Sequence, residues 1–532
     1  MHSNSQNPNW QWAKAFGGTS IEDILGIATD NTGNSYVCGY YYSSTMTIGS
    51  FSLTSQGNFD FFVAKFDNAG NPQWVKNFGG QYDDTPLSIA IDGLGNSFVT
   101  GNFVSPTLVC GTNTLVNSGF GDMFLMKLDI NGNLQWAKNF GNGGTVEGKG
   151  IATDLSGNVF VTGFFNGSTL ALGTVTLSSN GNDDCFISKF DTNGNEQWAI
   201  NIGDNLNESG NDVATDAAGN IFVTGYFKSG TITAGTYTLN NNTVTSADLF
   251  LIKCSNTGSI LAANSTGDMF DEIGTSITID ASGNALITGY FFGTTLTVGT
   301  YTLNCFGGKD MLIIKCNNNG GFVWAKNAGG MFDDYGNAIG TDALGNIYVN
   351  GHNHSPTAFF DTYSLTVSGV GGDGFIASYS TLGNVLWASG TGAGTDDGWD
   401  CLSLDGAGNI YVGGFFTSPS ISIGSNTLVT NGNADMMLAK INSSNGIADF
   451  ENKKAGKMLL YPNPTTGKFY ISVTARTQES VLEVFSSNGI LNKSIDLNED
   501  TIEIDLSEYP KGMYFIRYRT QSSSLIEKVI LN

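Results

Sequence analysis

The chain has 532 residues, of which 40% are hydrophobic, 12% aromatic and only 13% charged, with a formal net charge of −24. This composition excludes a disordered chain, and no apolar run approaches the roughly 18–20 residues that cross a bilayer, so we expect no membrane insertion. Residues 1–450 carry 13 lysines and no arginine against 37 acidic residues. Nucleic acid is therefore excluded as a partner, because phosphate binding needs clustered cations.

A string of the form D-x-x-G-N recurs along most of the chain and defines an internal repeat. It begins at Asp30, Asp92, Asp154, Asp216, Asp280, Asp342 and Asp405. A second string, D-x-F-x-x-K in its commonest form, keeps the same register. Its aspartates are Asp60, Asp122, Asp184, Asp248, Asp310, Asp373 and Asp435. The chain thus contains seven copies of one unit.

Each copy divides into four short β-rich runs separated by glycine turns, and no run has helical periodicity. In D-x-x-G-N the aspartate can accept a hydrogen bond from the backbone two residues on, while the glycine supplies a positive φ. Four strands in each of seven copies predict an all-β fold, a seven-bladed β-propeller over residues 1–446. The seventh copy lacks its outermost strand, which the segment around Trp12 resembles, so we expect this segment to close the ring.

The repeat strings resemble the SBBP family, seven-bladed propeller repeats of bacterial surface and secreted proteins. The family consensus has the form G-x-x-x-D-x-A…D-x-x-G-N-x-Y-V-x-G, and the resemblance extends over about residues 10–446. It implies the propeller fold and no single activity.

A polar stretch at residues 447–457 separates the repeats from a segment of different composition, residues 458–532. Alternating apolar runs with Pro and Gly turns predict a second domain there, a small Ig-like β-sandwich. Its motifs resemble the type A C-terminal sorting domain of the type IX secretion system of Bacteroidota. The matching residues are Tyr461, Pro462, Asn463, Pro464, Gly467, Gly489, Gly512, Tyr514 and Lys528.

The sorting-domain resemblance implies Sec export followed by passage across the outer membrane. The partners implied are the type IX secretion translocon and its shuttle or sortase components, and the location implied is secreted or on the cell surface. The start "MHSNSQNPN" has no apolar signal-peptide core, so we interpret the chain as a mature or recombinant form. We expect a monomer.

Acidic residues recur eight positions before the turn aspartate in six of the seven copies: Glu22, Asp84, Glu208, Glu272, Asp334 and Asp397. Carboxylates arranged around one axis would repel one another, and a hard cation such as calcium would relieve that repulsion. The favoured alternative is that each acid caps neighbouring backbone N–H groups, in which case no cofactor is needed.

Catalytic signatures are sparse, since G-x-S-x-G, H-E-x-x-H and a Walker loop are all missing from the sequence. The nearest candidates for a glycan lyase or hydrolase are His352, His354 and the segment Asp396–Asp400 with Trp399. The H-x-H pair could also ligate a metal. A further alternative is a structural spacer without a ligand. We favour a non-enzymatic binding or adhesion protein with an unknown glycan or protein ligand.

Overall fold

The computed structural model describes residues 8–241, 243–442, 458–461, 463–473, 480–486, 491–496, 501–519 and 524–532. The chain divides into two compact units, Met1–Ser443 and Ser444–Asn532. The regular elements of the described residues are all β-strands, which confirms the predicted all-β class. Pro462, Gly489 and the predicted linker at residues 447–457 lie outside the described residues.

Within residues 8–442 the first unit contains seven four-stranded antiparallel sheets, which we number blades 1 to 7. The innermost strands are β2 (Glu22–Thr29), β8 (Asp84–Ile91), β14 (Val146–Thr153), β20 (Glu208–Thr215), β26 (Glu272–Ile279), β32 (Asp334–Thr341) and β38 (Asp397–Leu404). The second strands are β3 (Ser35–Tyr41), β9 (Ser97–Phe103), β15 (Val159–Asn166), β21 (Ile221–Phe227), β27 (Ala285–Phe291), β33 (Ile347–Asn353) and β39 (Ile410–Phe416).

The outer half of each blade is formed by a third and a fourth strand. The third strands are β6 (Asp60–Phe66), β12 (Asp122–Leu128), β18 (Asp183–Phe190), β24 (Asp248–Cys254), β30 (Asp310–Cys316), β36 (Asp373–Tyr379) and β42 (Asp435–Asn442). The outermost strands are β7 (Pro72–Phe78), β13 (Leu134–Phe140), β19 (Glu196–Ile202), β25 (Ile260–Thr266), β31 (Phe322–Ala328), β37 (Val385–Thr391) and β1 (Asn9–Phe16).

The longer loop between the second and third strands holds an additional hairpin that the sequence analysis did not predict. Its strands are β4 (Thr45–Ile48) and β5 (Phe51–Thr54), β10 (Thr107–Cys110) and β11 (Asn113–Val116), β16 (Thr169–Leu172) and β17 (Val175–Ser178), β22 (Thr231–Ala234) and β23 (Tyr237–Asn240), β28 (Thr295–Val298) and β29 (Tyr301–Asn304), β34 (Thr357–Phe360) and β35 (Tyr363–Thr366), and β40 (Ser420–Ile423) and β41 (Asn426–Val429). One face of each hairpin is buried, as with Leu108 and Cys110. Strands of four residues are too short for alternation to mark them clearly.

The ring closes on itself through two sets of contacts. The innermost strands contact one another in cyclic order, and β38 of blade 7 contacts β2 of blade 1. The outermost strand of blade 7 is β1, which runs antiparallel to β42 from Asn9 opposite Asn442 to Phe16 opposite Met436. The two ends of the repeat region therefore share one sheet, and β1 covers the edge of β42 that would otherwise be unpaired.

Local turn chemistry fixes the end of each innermost strand. Asp30 Oδ1 accepts hydrogen bonds from the backbone N–H of Thr32 and of Asn34, at 3.0 and 2.9 Å. Gly33 has a φ of +84°, a conformation that a side chain disfavours. The D-x-x-G-N string is therefore a tight turn between the first and second strands.

The second unit consists of two sheets that share one core. β43 (Met458–Tyr461), β44 (Lys468–Val473) and β47 (Thr501–Asp505) form the first sheet. The other sheet contains β46 (Leu491–Asp496), β45 (Val481–Ser486), β48 (Gly512–Arg519) and β49 (Ser524–Leu531). Phe469 and Ile471 from one sheet pack in the same cluster as Val484 and Ile516 from the other. This arrangement is a small β-sandwich.

Candidate functional site

Each innermost strand of the propeller carries a one-residue β-bulge at the same place. In blade 1, Ile24 lies opposite Gly39 and Gly26 lies opposite Cys38, which leaves the intervening Leu25 unpaired. The seven unpaired residues, which we call the bulge ring, are Leu25, Leu87, Lys149, Asn211, Thr275, Asn337 and Asp400.

The bulge ring surrounds a cavity of about 260 Å³ to which all seven innermost strands contribute lining residues. The cavity therefore lies on the axis of the propeller. Its wall is chemically uneven, because blades 1 and 2 contribute leucines whereas blades 4 to 6 contribute amides and a hydroxyl. Lys149 of blade 3 and Asp400 of blade 7 lie on nearly opposite sides of the ring, since two blades separate them one way and three the other. The cavity thus has an apolar side and a polar side, with one basic residue (Lys149) and two acidic residues (Asp212 and Asp400) in its wall.

Two charged groups of the cavity wall are held by protein neighbours. Lys149 Nζ lies 3.4 Å from Asn211 Oδ1 and 5.1 Å from the ring centroid of Phe164, and burial lowers its pKa. Asp212 Oδ2 accepts hydrogen bonds from Ser276 Oγ at 2.9 Å and from the Ile277 N–H at 2.8 Å. Burial raises the pKa of Asp212 to about 6. These contacts fix the polar wall before any ligand enters.

A second ring of side chains lies on the second strands, each opposite the residue two positions before a bulge. We call it the mouth ring, and its members are all partly exposed: Tyr40, Asn102, Phe164, Tyr226, Tyr290, His352 and Phe415. Tyr335, from the innermost strand of blade 6, lies 6.1 Å from Tyr290 and 5.6 Å from His352 between ring centroids. His352 in turn lies 5.7 Å from Phe415. Blades 5 to 7 thus present a continuous row of aromatic rings, which we call the aromatic wall.

The mouth ring and the bulge ring meet between blades 6 and 7. His352 Nε2 lies 3.1 Å from Asp400 Oδ1, which also accepts a hydrogen bond from Asn337 Nδ2 at 3.1 Å. Gly398 makes this approach possible, because a Cβ there would lie 2.1 Å from His352 Cε1. The structure therefore brings together two of the residues that the sequence analysis named as enzyme candidates.

The other enzyme candidates lie apart from this contact. Trp399 is fully buried, stacked on Trp10 at 5.9 Å, and its Nε1 donates a hydrogen bond to Thr391 Oγ1 at 2.6 Å. His354 stacks near His352 at 6.2 Å between ring centroids, and its Nδ1 lies 3.1 Å from the Asp333 carbonyl oxygen. Trp399 is a core residue of blade 7 and takes no part in the mouth.

The six predicted acids do not converge on one another. Glu22, Asp84, Glu208, Glu272, Asp334 and Asp397 each begin an innermost strand and are buried. Asp334 is representative: its carboxylate accepts hydrogen bonds from Gly330 N–H at 2.7 Å, Ser355 N–H at 3.0 Å and Ser355 Oγ at 2.7 Å. In the described part of the chain, no three His, Cys, Asp or Glu side chains form a group that could hold a metal ion. The acids are placed as separate caps of their own blades.

Each of these acids lies near the aspartate of the D-x-F-x-x-K string in the preceding blade. A Cβ at Gly329 would lie 2.4 Å from Asp310 Oδ1 and 3.2 Å from Asp334 Oδ2, so this glycine separates the two carboxyl groups. Burial, together with the neighbouring carboxylate, raises the pKa of Asp84 to about 6 and that of Asp310 to about 7. The blade interfaces therefore hold carboxyl groups that resist ionisation.

The described sorting-signal residues cluster around the last strand. Asn463 Nδ2 donates a hydrogen bond to the Lys528 carbonyl oxygen at 2.6 Å, and Asn463 Oδ1 accepts one from the Ile530 N–H at 2.9 Å. The Thr465 N–H donates to the Ile530 carbonyl oxygen, and the Asn532 N–H to the Thr465 carbonyl oxygen, both at 2.8 Å. Asn463 and Thr465 thereby hold the C-terminal strand β49 in place through hydrogen bonds.

The remaining motif residues shape the same sandwich. Tyr461 is half exposed and stacks on Tyr470 at 5.8 Å. Tyr514 is buried, and its hydroxyl donates to the Pro510 carbonyl oxygen at 2.6 Å. A Cβ at Gly467 would lie 2.3 Å from Ser507 Oγ, so this position requires glycine. Pro464 follows Asn463 in the fastening segment, and Gly512 begins β48.

The bulge ring and the mouth ring are functional candidates that the sequence analysis missed. The signal available was the repeat column five residues before the turn aspartate, where the residue type differs from copy to copy. A second signal was the column ten residues after it, which is aromatic in six copies. The residue types in these two columns do not indicate that the side chains face the axis. That orientation depends on the bulge in the strand pairing, which the sequence pattern does not show.

Two family models match the chain. Residues 459–532 match the secretion system C-terminal sorting domain, and residues 73–102 and 135–163 match the β-propeller repeat. Both resemblances predicted from the sequence are thereby confirmed. The chain is a β-propeller protein that the type IX secretion system exports to the cell surface or the medium. Among the described residues, no helix has the length and apolar character needed to span a membrane.

The chain also has sequence similarity to a curated protein that is described as containing repeats. An uncharacterized WD repeat-containing protein of Acanthamoeba polyphaga mimivirus is 25% identical over an alignment of 469 positions, and the match covers 71% of this chain and 34% of that protein. The chain thus spans about a third of that relative's length.

Two solved structures are also similar. PorZ, described as an essential surface component of the type IX secretion system of Porphyromonas gingivalis, is 12% identical with a TM-score of 0.35, covering 96% of this chain and 66% of PorZ. Sqt1 from Chaetomium thermophilum is 10% identical with a TM-score of 0.34, covering 81% of this chain and 98% of Sqt1.

Proposed function

We propose that this protein is a non-enzymatic binding or adhesion protein of the cell surface that holds an end group of an extracellular glycan at the mouth of the axial cavity. The observation that supports this is the chemical asymmetry of the bulge ring. Turn and core positions keep their residue type from blade to blade, whereas the bulge ring changes from Leu25 to Lys149 to Asp400.

The shape and chemistry of the mouth suit a polar ring-shaped ligand. A cavity of about 260 Å³ accommodates a small group, and the aromatic wall of Tyr290, Tyr335 and His352 offers ring faces for the apolar side of a sugar. Amide and hydroxyl groups from Asn211, Thr275 and Asn337 could then hydrogen-bond to ligand hydroxyls. These features also favour binding over a role as a spacer.

A glycan-active enzyme is the second candidate, and the contact between His352 and Asp400 favours it. A carboxylate that holds an imidazole is a common acid–base arrangement. Against it, Lys149 and Asp212 of the cavity wall already interact with neighbouring protein groups. An enzyme would change the glycan chemically before releasing it, whereas a binding protein would release it unchanged.

The test is a glycan array probed with the full chain, followed by titration of any ligand found. An aromatic contact contributes about 1 kcal/mol beyond its buried area, so Phe415→Ala and Tyr290→Ala should each weaken binding about fivefold or more. Leu155→Ala is the control, because Leu155 is 94% exposed on a turn at the other end of blade 3. Unaffected binding in the mouth variants would place the ligand elsewhere, and a cleaved glycan in the reaction mixture would establish the enzyme instead.

A further inference from the structure

A second pocket adjoins the aromatic wall, and we call it the side pocket. It has a volume of about 300 Å³ and is lined by Gly308, Met331, Phe332, Asp333, Tyr335 and His354. Tyr335 belongs to both features, because its ring lies 5.6 Å from His352 in the aromatic wall and 5.7 Å from His354 in the side pocket. A ligand bound at the aromatic wall could therefore extend into the side pocket.

The side pocket exposes two large apolar side chains. Met331 is 69% exposed and Phe332 is 52% exposed, on the segment that joins the outermost strand of blade 5 to the innermost strand of blade 6. Five of the other six joining segments carry a polar or small residue at the position of Met331: Thr19, Gln81, Gly143, Asn205 and Gly394. Packing of the blades does not require an apolar residue at this position, and adjacent exposed apolar side chains are typical of a contact site.

Hydrogen bonds fix the backbone that carries the two apolar side chains. The Phe332 N–H donates to Ser355 Oγ at 2.9 Å, and the Gly308 N–H donates to the Met331 carbonyl oxygen at 3.0 Å. Gly308 permits this approach, because a Cβ there would lie 2.7 Å from the Phe332 carbonyl carbon. The apolar surface is thus formed before a ligand binds, which lowers the entropy cost of binding.

Two side chains of the side pocket are hydrogen-bond acceptors. The Asp333 side chain is half exposed, and its carboxylate lies 3.9 Å from Lys309 Nζ. His354 Nδ1 lies 3.1 Å from the Asp333 carbonyl oxygen, which can only accept, so this nitrogen carries the proton. In the neutral ring, His354 Nε2 is then an acceptor. A group that suits the side pocket therefore combines an apolar surface with a hydrogen-bond donor.

We propose that the side pocket binds the acetamido group of an N-acetylated sugar. The methyl group would lie against Met331 and Phe332, and the amide N–H would donate to the Asp333 carboxylate. A sugar carboxylate would be repelled by Asp333, and a hydroxyl in place of the acetamido group would bring no methyl group to bury. This inference rests on the proposed binding function and specifies the class of sugar that is bound beside the aromatic wall.

The experiment compares tri-N-acetylchitotriose with cellotriose by calorimetric titration of the full chain. The two trisaccharides share one backbone and differ in the substituent at C2, which is acetamido in the first and hydroxyl in the second. Tri-N-acetylchitotriose should bind about tenfold more tightly or better, as expected for a methyl group that enters an apolar pocket.

NMR of the methionine methyl groups locates the bound sugar. The chain has 11 methionines, and the signal of Met331 is the one that disappears in Met331→Gln. Tri-N-acetylchitotriose at millimolar concentration should shift this signal, and cellotriose should not.

Met331→Gln and Phe332→Ser should each reduce the preference for the acetylated sugar about threefold or more, because they remove apolar surface from the side pocket. Both positions are exposed, so thermal unfolding should be unchanged. Met269→Gln is the matched control. Met269 is 68% exposed at the same position of the segment between blades 4 and 5, and it does not line the side pocket. This variant should keep the full preference.

Equal affinity for the two trisaccharides, no binding of either, or a preference that Met331→Gln leaves unchanged would overturn the acetamido site. A Met331 signal that shifts with a trileucine peptide and not with tri-N-acetylchitotriose would also overturn it, and would identify a protein-docking surface instead. If an array glycan still bound through Phe415 and Tyr290 in these cases, the proposed function would stand and only the acetamido site would fail.

Discussion

The propeller unit and the C-terminal unit distribute their cores in different ways. In the propeller each apolar cluster lies between adjacent blades, as where Cys38 and Phe61 of blade 1 pack with Val99 and Phe124 of blade 2. In the C-terminal unit a single cluster around Phe469 holds both sheets together. A ring of separate cores spreads the free energy of unfolding over many interfaces, whereas the sandwich depends on one.

Both units are nevertheless closed by segments that are distant in the sequence. β1 pairs with β42 in the propeller, and Asn463 with Thr465 fastens the final strand of the sandwich. The stability of each unit therefore depends more on its closing contacts than on the size of any one core. Changes to these closures should therefore cost more stability than changes to the buried charges.

Removing residues 1–17 should have the largest effect. The deletion takes away β1, the buried Phe16 and the stacking of Trp10 on Trp399, and it exposes the edge of β42. The lost burial and hydrogen bonds should cost about 5 kcal/mol or more, with aggregation. Thermal unfolding and size-exclusion chromatography measure this. Deleting residues 1–7 is the control, because β1 stays intact, and an unchanged melting curve for the longer deletion would refute the closure.

Removing residues 458–532 should abolish export while the propeller still folds, because the sorting domain has a core of its own. A finer change, Asn463→Ala, removes two hydrogen bonds to the last strand and should destabilise the C-terminal unit by about 1–3 kcal/mol. Export from the natural host and unfolding of the purified chain are the measurements. Lys468→Met removes only exposed ion pairs and serves as the control. Continued export of the truncated chain would contradict the role of residues 458–532 as the sorting signal.

Raising the pH should destabilise the propeller but not the sandwich. The pKa is raised to about 6 for Asp84, about 7 for Asp310 and about 9 for Glu272 by burial, so the folded propeller binds more protons than the unfolded chain from about pH 4 upward. Stability from these groups is complete below about pH 4 and is lost as the pH rises through 6 to 9. In the sandwich, hydrogen bonds with Lys468 instead lower the pKa of Glu503, and hydrogen bonds with Ser507 lower that of Asp505.

We expect the propeller to melt about 5 °C lower at pH 8.5 than at pH 5.5. Asp310→Asn should reduce this difference, because it removes one of the titrating groups while keeping its shape. A melting temperature that rises over the same interval would contradict the assignment.

Calcium should have the smallest effect. Asp334 and its counterparts are dispersed and already accept backbone and serine hydrogen bonds, so we expect calcium to stabilise no more than sodium at equal ionic strength. Thermal unfolding in the two salts, with and without chelator, measures this. The hypothesis of a shared cation would be restored if calcium stabilised the protein much more than sodium and Asp334→Asn reduced that difference.

Local and periodic features of this protein were predictable from the sequence. The turn at Asp30 and Gly33 depends on contacts within five residues, and the seven-fold recurrence of such turns indicated the four-stranded unit. The sorting motif was recognisable for the same reason, since its residues act within short segments. The short hairpins were missed because four-residue strands carry too little alternation to be distinguished from a loop.

The candidate site depended on tertiary structure. Whether Leu25 or Asp400 faces the axis is decided by a bulge in the pairing of two strands, because one unpaired residue reverses the direction of the side chains that follow. The contact of Cys401 Sγ with the Ile24 carbonyl oxygen, at 3.7 Å, requires that blade 7 meet blade 1 at opposite ends of the repeat region. The sequence by itself therefore determined the blades and the destination of the protein. Only the closed ring determined which side chains share the mouth, because closure alone places residues of the first and last blades side by side.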